Sequence, residues 1–186
     1  MKKNLVFCIN QLYGGGAEQQ IKYLANNLSK KINIKILVLR DKNIKEINSN
    51  IEIIKINKLS LKNIYSFKSI FKIRSLITNE KVISASLYFD IICGFLRIFS
   101  KFEWWVRESN SARSKIHIKN KIRSFLGKSA NGIISNSQSG HNYWMQYNQN
   151  CKLIFNGYPD SLLNLKNNKI FKKENAIIAA RFVPHK

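Results

Sequence analysis

A run of three glycines, Gly14 to Gly16, lies between an apolar segment and a segment of helical period that contains Glu18. Because glycine has no Cβ atom, such a loop can take positive φ angles and approach a ligand closely. The free N–H groups at the start of the helix favour negative charge. The pattern predicts a phosphate-binding loop at the carboxyl end of a strand, where open α/β sheets bind ligands. A flexible turn is the alternative, since the loop is neither G-x-G-x-x-G nor a P-loop.

A second group of polar residues, Arg107 to Asn110, follows a short strand pattern. At the carboxyl end of that strand, Arg107 and Glu108 are expected to face a cleft and to hydrogen-bond a hydroxyl or phosphate group of a ligand. For Glu108 the alternative is a salt bridge with Arg107 or Arg113. For the serines and asparagine that follow, the alternative is capping of the next helix.

Neither histidines nor cysteines form a metal-binding pattern. The histidines stand apart, without cysteine or carboxylate at ligand spacing: His117, His141 and His185. We therefore expect no metal ion and no cofactor. The cysteines are odd in number and lie in apolar sequence: Cys8, Cys93 and Cys151. They indicate reduced structural thiols and a cytoplasmic protein. The apolar stretch after Met1 ends at Asn10, too early for a secretion signal.

The charge balance is strongly basic, with 32 Lys and Arg against 10 Asp and Glu and a net charge of +22. Such a field attracts phosphates, anionic lipid or nucleic acid. Because no nucleic-acid-binding motif is present, we expect no specific nucleic-acid partner. The longest lipophilic run, Ile91 to Leu96, is far shorter than the roughly 18 residues of a membrane span. The segment Leu59 to Asn79 is either a basic helix lying on an anionic membrane surface or an ordinary surface helix.

Apolar runs alternate with segments of helical period, which predicts an α/β, Rossmann-like fold with a mostly parallel sheet and helices on both faces. The predicted strands are Leu5 to Ile9, Ile34 to Leu39, Ile51 to Ile56, Val82 to Leu87, Trp104 to Val106, Gly132 to Ser135, Lys152 to Phe155 and Ala176 to Ala180. Two helical faces are expected to pack on the sheet: one formed by Ala17, Ile21, Leu24, Ala25 and Leu28, the other by Ile118, Ile122, Phe125 and Leu126.

The chain is expected to divide near its carboxyl end. The polar stretch from Leu165 to Asn175 has the composition of a linker, and a new strand pattern follows it. We therefore assign residues 1–165 to one Rossmann-like domain. Residues 166–186 are assigned to a linker and the first strand of a second domain.

Four segments in this order resemble glycosyltransferases of the GT-B fold, specifically the retaining GT4 type. Gly14 to Glu18 is similar to the G-G-A-E loop of that family, and Ile133 to Ser137 resembles its strand that ends in a serine before a helix. Ile154 to Pro159 is similar to the I-x-N-G-V-D segment. Arg181 to Lys186 resembles the G-R-L-V-x-x-K-G stretch that opens the second domain of the family, with Ala180 in place of its first glycine.

The resemblance implies two Rossmann-like domains that face a cleft, the amino-terminal one for the acceptor and the carboxyl-terminal one for the nucleotide sugar. Only the first is expected in this chain. Gly14 to Gly16 would lie near the donor phosphates, while Arg181 and Lys186 would offset charge on the leaving nucleoside diphosphate. Glu108 stands where many relatives carry a histidine or acidic residue near the reacting centre, and is the catalytic candidate. The candidates for acceptor binding are Glu18, Arg107, Asn110 and Asn156.

The implied function is transfer of a sugar from a nucleotide sugar to a lipid-linked glycan or a lipopolysaccharide- or capsule-type acceptor, at the cytoplasmic face of the membrane. A chain with only the acceptor half is expected to lack turnover by itself. The alternative is a non-enzymatic module that binds an acceptor, or a partner chain that supplies the donor-binding half.

Overall fold

The computed structural model describes residues 4–40, 46–56, 67–108 and 118–157. Within these ranges the described strands and helices alternate along the chain, except that two strands follow the first helix. The elements are β1 (Asn4–Ile9), α1 (Gly16–Leu28), β2 (Asn33–Val38), β3 (Glu52–Lys55), α2 (Phe67–Ile77), β4 (Lys81–Ser84), α3 (Leu87–Leu96), β5 (Glu103–Glu108), α4 (Ile118–Gly127), β6 (Gly132–Ser135), α5 (Gln138–Met145) and β7 (Cys151–Leu153).

The seven described strands form one sheet in the order β3-β2-β1-β4-β5-β6-β7. Every described pair of neighbours is parallel, with Val6 of β1, for example, between Lys35 of β2 and Val82 of β4. The strand order reverses direction between β1 and β4. This is the topological switch point, where the loops of an open α/β sheet separate and leave a crevice.

Apolar side chains cover both faces of the sheet. One face packs against α2, α3 and α5, through a core that includes Ile73, Phe89, Trp104 and Trp144. The opposite face packs against α1, where Ile21 and Ala25 meet Phe7 and Ile36. The predicted Rossmann-like sheet with helices on both faces is confirmed.

The described strands agree with the predicted ones except at their ends. The fourth was expected to run to Leu87 but ends at Ser84, and Ser86 takes the N-cap position of α3. The run Leu87 to Phe89 is apolar whether it forms strand or helix, so its composition did not mark the boundary. The predicted linker and the strand from Ala176 to Ala180 lie outside the described residues.

The expectation that α4 packs its apolar side on the sheet is wrong. Ile118, Ile122 and Phe125 are 69%, 44% and 68% exposed, whereas Arg123 and Ser124 are buried. The Arg123 guanidinium pairs with two buried carboxylates, and these ion pairs fix which side of the helix faces inward. The apolar side of α4 therefore faces out.

The three cysteines are reduced and buried. A hydrogen bond with Cys8, together with burial, raises the pKa of the Cys93 thiol well above its ordinary value. Burial also raises the pKa of Cys151. Thiolate is the reactive form, so neither group is poised for chemistry.

We expect the native thiols to react with a disulfide reagent at least about a hundredfold more slowly than free cysteine, since reaction requires local opening of the core. Colour development with and without denaturant measures this directly. A Phe155→Cys variant provides a matched control, because Phe155 is exposed. One equivalent of wild-type thiol that reacts at the rate of that control would contradict the expectation.

Candidate functional site

Asn10 joins three strand ends at the switch point. Its carbonyl oxygen accepts hydrogen bonds from the backbone N–H of Leu39 at 3.1 Å and of Arg40 at 2.9 Å, just after β2. Its Oδ1 accepts a hydrogen bond from Ser86 Oγ at 2.8 Å, just after β4. Asn10 therefore fixes the spacing of β2 and β4 on either side of β1.

A polar cleft of about 170 Å³ opens at this point. Its lining residues follow three different strands or begin α1: Ile9, Asn10, Gln11, Glu18, Arg40, Ala85 and Ser86. Amide, hydroxyl, carboxylate and guanidinium groups thus converge on one hollow at the carboxyl edge of the sheet. Such a mixture suits a ligand with several hydroxyls or with hydroxyls and a phosphate.

The glycine loop forms a second, more open hollow of about 440 Å³, lined by Gly14, Gly15, Gly16 and Gln19. Gly14 has a φ of +97°, a conformation that side-chain-bearing residues rarely adopt. Gly15 is the N-cap and Gly16 the first residue of α1. A Cβ atom at Gly16 would meet no atom within 4 Å, so the start of the helix borders open space.

The side chain of Glu18 folds back toward the start of α1. Its carboxyl carbon lies 3.2 Å from the position that a Cβ atom at Gly15 would take. A carboxylate there is stabilised by the positive end of the helix. Glu18 also lines the 170 Å³ cleft, so it borders both hollows, and an anion bound at the helix start competes with its carboxylate.

Two of the predicted acceptor-binding residues are in direct contact. Arg107 Nη2 donates a hydrogen bond to Asn156 Oδ1 at 2.8 Å, which connects the end of β5 with the segment after β7. The next residue, Gly157, accepts a hydrogen bond from Gln20 Nε2 of α1 at 2.8 Å. Burial lowers the pKa of Arg107 from its ordinary value, although an arginine remains protonated. A cation and an exposed amide therefore lie together at the carboxyl edge, tied to the helix that follows the glycine loop.

Glu108 lies in the interior and not at the cleft surface where it was expected. It is fully buried, and its Oε2 accepts hydrogen bonds from Arg123 Nη1 at 2.6 Å and Trp144 Nε1 at 2.8 Å. The described ion pair of its carboxylate is with Arg123. Arg113, one of the two alternative partners, lies outside the described residues. The even-numbered residues Trp104 and Val106 of β5 point to the face covered by α2, α3 and α5. Glu108 continues this alternation, and its partners lie on α4 and α5.

The remaining predicted site residues divide between described and undescribed segments. Gly14 to Gly16 and Glu18 lie together at the switch point, with Arg107 and Asn156 in contact along the same edge. Asn110, Arg181 and Lys186 lie outside the described residues. The serines after β6 behave as expected, since Ser137 caps α5 and accepts a hydrogen bond from the Gly140 N–H at 3.2 Å.

Within the described ranges, no group of three histidine, cysteine or carboxylate side chains is placed to hold a metal ion. In the same part of the chain, no helix is both long and apolar enough to cross a bilayer.

No protein-family model matches the chain, and no curated protein matches it in sequence. Solved structures do match in fold. HepE from Anabaena, solved with UDP and glucose, superposes with a TM-score of 0.69 at 14% identity over 87% of this chain and 46% of HepE. This chain has the fold of a GT-B glycosyltransferase domain.

Two further GT-B enzymes support the same assignment. Sucrose-phosphate synthase from Thermosynechococcus elongatus superposes with a TM-score of 0.62 at 12% identity, over 90% of this chain and 54% of the synthase. A UDP-glucosyltransferase from Polygonum tinctorium gives 0.55 at 10% identity, over 88% of this chain and 56% of the enzyme. The chain thus spans about half the length of these GT-B neighbours.

Four residues of the GT-B domain cleft were absent from the sequence-based predictions: Asn10, Gln11, Arg40 and Ser86. Each lies within two residues of the carboxyl end of a strand. Polar residues directly after predicted parallel strands were the available indication, since those ends share one edge. Asn10 and Ser86 are 76 residues apart, so their contact is visible only in the folded chain.

Proposed function

We propose that this chain is the acceptor-side domain of a GT-B glycosyltransferase of the retaining GT4 type. The enzyme of which this domain is a part transfers a sugar from a nucleotide sugar to a lipid-linked glycan or a lipopolysaccharide- or capsule-type acceptor, as a peripheral protein at the cytoplasmic membrane face. The domain alone is expected to lack turnover. The main support is the glycine loop at the switch point, with its open helix start facing a hollow. The fold neighbour HepE, solved with UDP and glucose, is consistent with this proposal.

The proposal gives the described residues distinct roles. Gly14 to Gly16 form the floor beneath the donor phosphates, where backbone N–H groups stabilise charge without side chains in the way. Arg107 and Asn156 hold an acceptor hydroxyl or phosphate, and the carboxylate of Glu18 accepts an acceptor hydroxyl. Asn110 remains an acceptor-binding candidate, while Arg181 and Lys186 remain candidates for contacting the donor diphosphate. Glu108 was predicted as the catalytic residue; because its carboxylate is buried and pairs with Arg123, we propose that it positions neighbouring groups instead.

Transfer is the decisive measurement. The chain is combined with a donor-binding GT-B domain, either its own continuation or a separate partner chain, and nucleoside diphosphate release is measured with membrane acceptors. UDP-glucose is the first donor to test. We expect release that depends on the acceptor. Absence of turnover with every common nucleotide sugar would overturn the proposal, and acceptor binding without turnover would instead support a non-enzymatic module.

Gly16→Ala tests the role of the loop with little effect on folding. The new methyl group meets no protein atom within 4 Å, and alanine is the better helix former by up to about 1 kcal/mol. The free energy of unfolding is therefore expected to stay equal or rise. Donor affinity is expected to fall at least about tenfold, since the methyl group fills space that the phosphates need.

Ala17→Gly is the matched control, because it changes the same helix turn in the opposite direction without adding an atom. We expect that variant to lose a little stability and to keep its donor affinity within about threefold. Unchanged donor affinity in Gly16→Ala would remove the glycine loop from the donor site.

A further inference from the structure

Large apolar side chains are exposed on three neighbouring helices, α2, α3 and α4, and on the turn after α3. Four are phenylalanines: Phe71, Phe95, Phe99 and Phe125 are 61%, 47%, 59% and 68% exposed. The rings of Phe95 and Phe99 contact each other edge to face, with centroids 5.5 Å apart. Single exposed apolar residues are ordinary, but a cluster marks a surface that meets something apolar.

A groove connects the three helices into one surface. It has a volume of about 350 Å³ and is lined entirely by apolar residues: Ile70, Ile91, Ile92, Phe95, Ile122 and Leu126. Helices α3 and α4 pack closely at Gly94, where an added Cβ atom would lie 2.6 Å from the Cβ atom of Leu126. We call the groove together with the exposed side chains of Phe71, Phe95, Phe99 and Phe125 the α2–α4 surface.

The outward direction of this surface is imposed by the fold. Arg123 is buried on the inner side of α4 and pairs with Asp90 at 2.5 Å and with Glu108 at 2.6 Å. Rotating α4 to bury Ile118 and Phe125 would break both of these ion pairs and move the Arg123 guanidinium away from two buried carboxylates, at a high cost. The apolar side of α4 cannot be buried within the domain without that loss.

The charges around the α2–α4 surface are positive. Asp90 is the single carboxylate among the residues of α2, α3 and α4, and it is buried against Arg123. Cations lie beside the exposed rings: Lys128 Nζ is 5.6 Å from the centre of Phe125, and Arg74 Nε donates to Ser100 Oγ at 2.9 Å, next to Phe99. On the same three helices Lys68, Lys72, Lys119 and Lys121 are exposed.

Exposed apolar side chains surrounded by cations favour an anionic bilayer over a second copy of the chain as the binding partner of this surface. A second copy of the chain would bring two sets of cations together on a protein of net charge +22. An anionic bilayer instead takes phenylalanine and isoleucine side chains into its acyl boundary while its headgroups pair with lysine and arginine. Helix α3 begins beside Ser86, which lines the cleft, and Phe95 lies near the other end of the same helix, so α3 connects the candidate site with this surface.

We propose that the α2–α4 surface binds an anionic lipid bilayer, with the phenylalanines inserted at the acyl boundary and the surrounding cations on the headgroups. The inference rests on the proposed function, which places the protein at a membrane, and it names the surface that makes the attachment. Apolar side chains of α3 and α4, and not the basic residues of α2 alone, provide the attachment. Vesicle binding needs no transfer, so its failure is distinguishable from failure of the glycosyltransferase proposal.

The test is flotation of the whole chain with vesicles of phosphatidylcholine alone or with 40% phosphatidylglycerol. We expect binding to the anionic vesicles that falls at least tenfold in the double variant Phe99→Ser and Phe125→Ser. Phe155→Ser is the matched control, since Phe155 is also 68% exposed but follows β7, and it is expected to bind as wild type. Lys128→Gln should weaken binding by about fivefold, the worth of one cation at such a surface.

Three results would overturn the proposal. One is wild-type chain that does not float with anionic vesicles, and another is an equal effect of the control and the double variant. The third is a wild-type dimer in analytical ultracentrifugation that the double variant abolishes, since the surface would then join two copies. The altered side chains are exposed, so equal unfolding midpoints are expected and verify that the variants are folded.

Discussion

Arg123→Met is expected to lower the free energy of unfolding by about 3–5 kcal/mol, the usual cost of removing one partner from a buried ion pair. Arg123, Asp90 and Glu108 are all buried, and Arg123 also lies over the Trp144 ring at 5.2 Å. Without the guanidinium, two carboxylates remain in the interior with their main counter-charge gone. Burial already raises the pKa of Asp90 despite the attraction of Arg123, so the variant is expected to bind a proton there.

Urea denaturation measures this loss of unfolding free energy. One variant serves as a control and a second tests for rescue. Lys81→Met removes an exposed ion pair with Glu103 at 2.7 Å and is expected to cost less than about 1 kcal/mol. Adding Asp90→Asn and Glu108→Gln to Arg123→Met is expected to recover at least half the loss, because the buried charges are then gone. If Arg123→Met lowers the free energy of unfolding no more than Lys81→Met does, the ion pairs of Arg123 with Asp90 and Glu108 do not hold α4 in place.

Trp104→Ala is expected to destabilise the domain by about 3–5 kcal/mol, as for other large aromatic truncations in a core. The side chain is fully buried on the face of the sheet that packs against α2, α3 and α5. The tip of its ring lies 3.1 Å from the position that a Cβ atom at Gly94 would take. Its Nε1 also donates to Ser84 Oγ at 2.8 Å. The truncation removes packing beneath α3 and α4 and leaves Ser84 without this donor.

Trp105→Ala is the natural comparison for that experiment. Trp105 is the next residue of the same strand but points to the other face and is half-buried, so a clearly smaller loss is expected. Equilibrium denaturation by fluorescence and by circular dichroism reports both variants under identical conditions. Equal losses at the two positions would show that the side facing α3 is not the better-packed core.

Local patterns were sufficient for much of the fold. Apolar runs placed every described strand, including β3 and β5, whose patterns were the weakest, because buried parallel strands require continuous apolar sequence. The position of the glycine loop after β1 was equally clear. Arg107 was chosen for its place at the end of a strand pattern and Asn156 for its place in the segment that resembles the I-x-N-G-V-D motif, and the parallel sheet brings them within hydrogen-bonding distance.

Other features depended on contacts that no local pattern records. The apolar spacing of α4 suggested the wrong inner face, since the choice depends on Asp90 and Glu108, 33 and 15 residues before Arg123. For the same reason Glu108 was expected at the cleft, when its partners lie on two later helices. The cleft residue Ser86 was hidden inside a strand prediction that ran too far.

The hydrogen bond between Gln20 and Gly157 has a mechanical consequence. It fastens the point where the chain leaves the sheet to the first turns of the helix behind the glycine loop. A displacement of the backbone at Gly157 would therefore be transmitted to α1 through this one amide, so the position of the segment after β7 and the geometry of the glycine loop are coupled.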